Sequence, residues 1–517
     1  MISIDAILLG VFKLAIPEAI LGVGACVLFL GTTFRMDRNL WATVALVTLG
    51  LAGLALAYSP SANTTFPEFF ASPLVLDRLG FLVKSIALAS GAVFVLFSWN
   101  AVPDRQAGEY YACLLLIIAG VCLTGTANEL VTLFLALELI SIPTYVLLYL
   151  PRYDNAAQEA AMKYFLLSIF SSALTLFGFS YLYGLSGTTN LPALLATLGN
   201  AAGDGLPQTA QVALVMVVAG LGFRITAVPF HFYAPDVYQG TPTVAAAILA
   251  FLPKLAGFVA LVRVLGFLWV SQTGTVGLAL GEQVPMLFFI LAAVTMFLGN
   301  LLGLLQDNLK RLLAYSSVAH AGYMLIGLAV APDLRGEETA GGVDAVLFYL
   351  VAYGAMTIGA FAVLAYLSTP QRPVEMLDDL AGLSQSHPGV ALLMALFLFS
   401  LIGIPLTAGF AGKFVLFFGA MAVAPRPEHP WLFRVLALIG VINAAIGAWY
   451  YLRILTVMYL RNPIKPLAKA HSWPGLATVW ICALVTLFLG LYPNPLLRVS
   501  RDAALPARSP QPQQARL

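Results

Sequence analysis

Apolar runs long enough to cross a bilayer follow one another along almost the whole chain, with short polar interruptions between them. A spanning helix needs about 20 mostly apolar residues, and about fourteen such runs can be counted. Their centres lie near Gly24, Val47, Ala89, Ile118, Ile140, Ala173, Val218, Leu255, Ala293, Met324, Tyr353, Phe397, Ile446 and Ala483. The interruptions carry Pro, Gly, Ser and Asn, as in SPSANTTFPEF and YQGTPT, which is the punctuation of tight connections. No stretch between spans is long enough for a soluble domain. The pattern predicts an all-α polytopic membrane protein with a polar, Pro/Gln-rich, disordered tail, PARSPQPQQARL.

Two spans are interrupted from within. The seventh reads VVAGLGFRITAVPFHFYAPD and the twelfth LFSLIGIPLTAGFAGKFVLF, with Pro229 and Pro405 in mid-run. Proline removes a backbone donor and clashes with the preceding turn, and in lipid the freed carbonyls need other partners. Broken helices at corresponding positions of two halves mark transport sites. The breaks lie five spans apart, which divides the middle of the chain into spans 4–8 and 9–13. A unit with an odd number of spans, repeated in series, enters the membrane the opposite way, so the two units form an inverted repeat. The predicted organisation is a three-helix segment at 1–109, repeats at 110–270 and 280–462, and a last helix with the tail at 463–517.

Composition agrees and narrows the function. The chain has 517 residues, 60% hydrophobic and 10% charged, against about 25% charged in soluble domains; its mean hydropathy is +0.91. A net charge of +2 leaves no basic footprint for nucleic acid. Cys26, Cys113, Cys122 and Cys482 are scattered in apolar runs without metal spacing, so neither iron–sulfur nor haem ligation is indicated. Neither a P-loop nor a dinucleotide fingerprint occurs. The first run lacks a basic leader and a cleavage site and reads as a retained helix.

Lys and Arg in short loops set orientation. One set of alternating loops holds Arg35, Arg38, Arg105, Arg152, Lys310, Arg311, Arg372, Arg461, Lys465 and Lys469, and the other little beyond Arg335, Arg426 and Arg434. The first set is expected in the cytoplasm. An even number of spans then puts both termini on the opposite side, although the tail arginines Arg501, Arg508 and Arg516 oppose this.

The chemistry lies in charges inside the spans. A charged side chain at mid-bilayer costs roughly 2.5–3.5 kcal/mol on insertion scales. Glu138, Lys163, Arg224, Lys254 and Lys413 all lie in spanning runs, and such residues are kept for moving ions or holding charge. Glu138 is expected to pair with a cation on another helix; the plain alternative is a fixed ion pair. Lys163 begins its span and can reach the interface by snorkelling. Arg224, before the first break, does not readily release a proton, so it suits a permanent partner for Glu138. His231 follows the break and titrates near neutrality when unperturbed, or is simply an interfacial histidine. Lys254, beside Pro253, is placed to load and release a proton. His320, with Ser316, Ser317 and Tyr323 at helical spacing, reads as a relay or as a polar seam between packed helices. Lys413, beyond the second break, reads as a proton-exchange site.

The segments GFRITAVPFHFYAPDVYQGTPTVAAAILAFLPK, DNLKRLLAYSSVAHAGYMLIG and SLIGIPLTAGFAGKFVLF resemble the antiporter-like membrane subunits of respiratory complex I. The similarity covers nearly the whole chain and is strongest over 110–460. The loop PDVYQGTPT, a lysine at 413 and the lack of a long lateral helix resemble the N-type branch. The resemblance implies a proton-pumping unit of a bacterial inner-membrane NADH–quinone oxidoreductase, beside a neighbouring antiporter-like subunit and the small K/J-type subunits. NADH, FMN, iron–sulfur clusters and quinone would be held by partner subunits and none by this chain. It also implies that Glu138, Lys254 and Lys413 match the family's charged positions on spans 5, 8 and 12. Arg224 stands where the family has a lysine, so its implied role is electrostatic gating, with loading and release at Lys254 and Lys413. A multi-subunit cation/proton antiporter and a mainly structural membrane-arm subunit are the competing readings.

Overall fold

The computed structural model describes residues 4–34, 37–59, 70–150, 154–201, 207–266, 283–332, 334, 341–369, 373–423, 431–463 and 473–504. Arg35, Arg152, Arg335, Arg372, Arg426, Lys465, Lys469, Arg508, Arg516 and the tail PARSPQPQQARL lie outside them.

Every regular element among the described residues is helical. The N-terminal group holds α1 (Ile4–Leu14), α2 (Ile16–Gly31), α3 (Arg38–Ala57) and α4 (Arg78–Ser98). Next come α5 (Ala107–Thr126), α6 (Leu130–Tyr149), α7 (Asn155–Ser186), α8 (Leu191–Ala201), α9 (Gln208–Arg224), α10 (Ala234–Gly240) and α11 (Thr243–Val264). They are followed by α12 (Gln283–Leu304), α13 (Leu309–Val330), α14 (Val343–Leu367), the short α15 (Leu383–Ser386), α16 (Pro388–Ile402), α17 (Ala408–Ala422) and α18 (Leu432–Leu460). The described part closes with α19 (Trp473–Leu491) and α20 (Asn494–Ala504).

In an apolar medium each backbone amide needs a partner within its own segment, which selects helix. The polar residues between runs then act as caps. Asp77, Asp154 and Asn308 accept from the backbone N–H three residues on, at 2.7, 2.8 and 3.1 Å, each satisfying one of the free amides of a helix start. Pro17, Pro235 and Pro388 stand in first turns, where no amide donor is needed.

Among the described residues, eleven helices are long and apolar enough to cross a membrane, or twelve with α1 and α2 taken as one bent span. α9, α16 and α17 are apolar but shorter. The multi-pass helical architecture expected from the sequence is therefore present. Two features were not foreseen. The first apolar run is bent by 67° between α1 and α2, and α20 adds a short helix after the last long one.

Burial separates the centre from the rim. α11 is buried along its whole spanning window, with α13 and α14 nearly so, whereas α3, α7 and α18 each leave most of theirs open. A helix apolar on all faces and buried on all faces belongs in the middle of a bundle. Packing runs in sequence from α6 to α7, α9, α11, α13 and α17. This order decides which polar side chains meet.

Both proline breaks are present. α9 ends at Arg224 and α10 resumes at Ala234, across Thr226 (φ 59°) and a cis Val228–Pro229 bond. α16 ends at Ile402 and α17 resumes at Ala408, across Gly403 (φ 96°) and Leu406 (φ 72°). The interruptions free carbonyls at the ends of α9 and α16: the Tyr233 hydroxyl donates to Phe223 O in α9, and Lys413 donates to the last carbonyls of α16.

Candidate functional site: a buried row of charged and polar side chains

At one end of the row stands Glu138. Arg224 Nη2 donates to its Oε1 at 3.1 Å, and the Ser172 hydroxyl donates to the same oxygen at 2.5 Å. Arg224 is 4% exposed and Glu138 23%. α7 and α9 come close because small residues line the contact: a Cβ on Gly220 would fall 2.8 Å from the Ser171 carbonyl. The Ser171 hydroxyl uses that closeness to donate to Gly220 O at 2.6 Å. The expected Glu138–Arg224 partnership is thus realised, with Ser172 as a third member.

Lys254 lies in the centre of α11 with no exposed surface. Its ammonium donates to the Ser317 carbonyl at 2.5 Å and to the Ser317 hydroxyl at 2.6 Å, and the Tyr353 hydroxyl donates to that hydroxyl at 2.8 Å. The Tyr353 ring centroid is 5.0 Å from Lys254 Nζ, a cation–π distance. Among the described residues no carboxylate forms an ion pair with Lys254. The site holds the cation with neutral dipoles alone.

His320, one turn beyond Ser316 and Ser317, is fully enclosed. Nδ1 meets the Tyr349 hydroxyl at 2.7 Å and Nε2 the Tyr451 hydroxyl at 3.2 Å. Tyr451 in turn is hydrogen-bonded to the Ser316 hydroxyl. The rings of Tyr323, Tyr349 and Tyr353 pack around the imidazole with centroids 5.3–5.8 Å away. Both ring nitrogens are therefore in hydrogen-bond contact with hydroxyls that can donate or accept, which is what a relay requires.

Lys413 sits at the second break. Its ammonium donates to Leu401 O at 2.8 Å and Ile402 O at 3.0 Å, the last carbonyls of α16, and lies 4.8 Å from the Tyr323 ring centroid. Those carbonyls carry the partial negative charge of a helix C-terminus. Beyond Tyr323, Asn300 links Tyr323, Asn443 and the Tyr450 hydroxyl at 3.0–3.3 Å.

Lys163 and His231 stand apart. Lys163 is 41% exposed and pairs with Glu159 at 2.7 Å and Asp236 at 2.9 Å, and Asp236 also holds Arg311 at 2.6 Å. This is a half-exposed network that ties α7 to α10 and α13. His231 lies in the break itself, half-buried, with Nδ1 unpartnered among the described residues. Pro229 and Pro405 both face outward.

Several participants escape a reading of the sequence for charges. Tyr349 and Tyr451 supply the hydroxyls that meet the two ring nitrogens of His320, and Tyr353 the hydroxyl that meets Ser317, the partner of Lys254. The signal for two of them was the recurrence of Tyr349 and Tyr353 at helical spacing within one apolar run. Two further buried ion pairs were also missed. Lys84 holds Glu18 at 2.8 Å and Leu14 O at 2.8 Å, at the bend between α1 and α2. Arg263 holds Asp77 bidentately at 2.7 and 2.8 Å. Among the described residues no group of three or more His, Cys, Asp or Glu is arranged to hold a metal ion.

A sequence profile of the NADH:quinone oxidoreductase/Mrp antiporter transmembrane family matches residues 127–446. NADH-quinone oxidoreductase subunit N of Trichlorobacter lovleyi is 37% identical over 494 residues, covering 94% of this chain and 96% of that one. A chain of respiratory complex I from Thermus thermophilus superposes with a TM-score of 0.75 at 30% identity, covering 93% of this chain and 99% of that chain. A chain of the Mrp complex from Dietzia sp. shares the fold at a TM-score of 0.77 and 20% identity, over 95% and 97% of the two chains. The matched stretch runs from just before Glu138 to beyond Lys413, and on that stretch and the full-length likeness this chain belongs to the NADH:quinone oxidoreductase/Mrp antiporter family, among its NADH-quinone oxidoreductase subunit N members.

Proposed function

We propose that this chain is a proton-translocating subunit in the membrane arm of a bacterial NADH–quinone oxidoreductase, coupling quinone reduction to proton movement. The carrying observation is the buried row Glu138–Arg224, Lys254–Ser317, His320–Tyr349 and Lys413–Leu401. A purely structural subunit has no use for two lysines buried without carboxylate partners, because such groups are expensive in a membrane.

Quinone reduction in a neighbouring subunit changes the charge near Glu138. The pair with Arg224 tightens or loosens, and Arg224 keeps its proton throughout. The altered field favours or disfavours the ammonium of Lys254. Its proton passes through water and the hydroxyls around His320 to Lys413 and leaves on the far side. NADH, FMN, iron–sulfur clusters and quinone are assigned to partner subunits. The partners are the other membrane-arm subunits, a neighbouring antiporter-like subunit and the small K/J-type subunits among them.

The architecture completing this reading has fourteen spans. α9 with α10 and α16 with α17 each count as one broken span, and the repeats occupy 110–270 and 280–462 in opposite orientations. The Lys/Arg-rich loops face the cytoplasm and both termini the other side. The shared fold with the Mrp complex keeps a cation/proton antiporter as the second reading.

Native membranes solubilised in mild detergent and run on a native gel test the assembly. Co-migration with NADH-oxidising activity supports it; migration in a smaller assembly without dehydrogenase activity transfers the reading to the antiporter. Lys413→Ala in the intact complex tests the route, and normal proton pumping by that variant sinks it.

A further inference from the structure

A cavity of about 160 Å³ lies against the first broken span, and every side chain on its wall is apolar. α9 contributes Val215, Ala219 and Gly222, and α12 contributes Phe288 and Leu291. The break itself contributes Ile225 and Val228. Arg224, the partner of Glu138, is the residue before Ile225. Phe230, near the end of the break, packs back on Gly222, where an added Cβ would lie 3.1 Å from its ring, and it too lines the cavity.

The space is not built for water. A buried water needs about two to four polar partners, and the amides of the break are already engaged. The Thr226 amide donates to Phe223 O at 3.1 Å and the Ala227 amide to Gly222 O at 2.9 Å. The Val228 amide donates to the Thr295 hydroxyl of α12 at 3.1 Å. A space of about 150 Å³ lined by Leu, Ile and Phe stays dry and accepts benzene or xenon, so a hydrocarbon suits this one.

The mouth decides which hydrocarbon. Val215 is 53% exposed, and Leu287 and Leu291 on the same wall are half-buried. Val212 of α9 and Ile290 and Val294 of α12 continue outward as exposed apolar surface. Leu291 is the ninth of the twenty-two residues of α12, a helix long and apolar enough to cross a membrane. The crevice therefore opens at bilayer depth, on surface continuous with the face that α9 and α12 turn outward. Acyl chains are the hydrocarbon of that environment.

We propose that the crevice is a binding site for one phospholipid acyl chain, and that the chain braces the break carrying Arg224. A chain seated there touches α9, α12 and both Ile225 and Phe230, so it supports the interrupted segment near each of its ends. The proposal rests on the chain's crossing a membrane and is independent of the ion that the charged row moves.

The test reconstitutes the intact complex with a phosphatidylethanolamine that carries a diazirine on one acyl chain. Irradiation followed by mass spectrometry of the peptides locates the adducts. They are expected on Val215, Leu287 or Leu291. Ala219→Phe, which fills the cavity from its own wall, is expected to lose them while labelling of the remaining apolar surface is unchanged. Labelled surface with an unlabelled crevice in the wild-type complex overturns the proposal, even where Ala219→Phe fails to assemble. Equal crevice labelling in Ala219→Phe also overturns it, because the chain then lies over the surface and not within it. Val215→p-benzoylphenylalanine tests for a protein occupant, and its photocrosslink to another polypeptide overturns the lipid assignment. Hydrogen exchange reads the bracing. Removing phospholipid from the wild-type complex is expected to speed exchange at the amides of 226–228, and Ala219→Phe to resist that change; the same acceleration in both overturns the bracing role. Neither readout uses proton pumping, so a negative result leaves the pumping reading standing, and Lys413→Ala tests that reading separately.

Discussion

Lys413 closes the end of α16 by donating to the Leu401 carbonyl at 2.8 Å. The same ammonium therefore has a structural task and a proposed transport task. The two separate on substitution. Lys413→Arg keeps a cation that can bond the free carbonyls but does not release its proton; the complex is expected to assemble with near-normal thermal stability and to stop pumping. Lys413→Met leaves the carbonyls at the break unpaired and is expected to lose pumping together with about 1–3 kcal/mol of stability. Pumping retained by Lys413→Arg would show that the site does not exchange protons. Melting of the purified complex and proton-to-electron ratios in vesicles give both readouts.

Arg224 and Glu138 are expected to behave as a unit. Arg224→Ala leaves Glu138 without its cation, and removing one partner of a buried pair costs about 3–5 kcal/mol; with Glu138 still 23% exposed, the low end applies. Replacing both with Gln removes both charges, so stability is expected to recover while coupled pumping does not. A double variant that pumps normally would leave the pair with only a fastening role.

Gly403 is a backbone requirement of the second break. Its φ of 96° disfavours any side chain, and an added Cβ would lie 3.2 Å from Lys413 Cδ. Gly403→Ala is expected to cost about 1–2 kcal/mol from the backbone alone and to displace Lys413 from its carbonyls. Reduced pumping with intact NADH oxidation is the expected result; an unaltered melting temperature would show that the break tolerates a side chain.

The Lys84–Glu18 pair lies outside the stretch matched by the family profile and pins the bend between α1 and α2. Lys84→Met is expected to destabilise the subunit by about 3–5 kcal/mol, because it leaves a buried carboxylate without its cation. Adding Glu18→Gln should restore much of that loss. Equal losses in the single and double variants, measured by thermal melting of the purified complex, would exclude an ion-pair origin.

The spans, both breaks and the principal charges were legible because each is a local property: an apolar run, a proline within it, a charge where none is expected. Glu138 and Arg224 were paired correctly because a buried carboxylate needs a cation. The neutral links were harder to read. A tyrosine in a spanning run is ambiguous, since the same residue serves at interfaces and in cores; only the packing of α13 against α14 and α18 reveals Tyr349, Tyr353 and Tyr451 as ligands of His320 and Ser317. Lys84 and Lys310 act on main-chain carbonyls of distant helices, and carbonyl acceptors leave no mark in a sequence. Lys163 carries the same charge as Lys254, but its partners Glu159 and Asp236 hold it in a half-exposed network.

Three titratable groups of the row sit near the middles of their helices. Glu138 is the ninth residue of the twenty in α6, Lys254 the twelfth of twenty-two in α11, and His320 the twelfth of twenty-two in α13. On the proposed route, with these helices crossing the membrane, a proton passing between them travels along the membrane rather than through it. Carrying one elementary charge across the full voltage takes about 2.3 kcal/mol per 100 mV, and a sideways step at constant depth meets almost none of that. The electrical work of the cycle therefore falls on the two vertical legs, uptake and release. A rising membrane voltage opposes those legs and leaves the transfer from Lys254 to His320 nearly untouched.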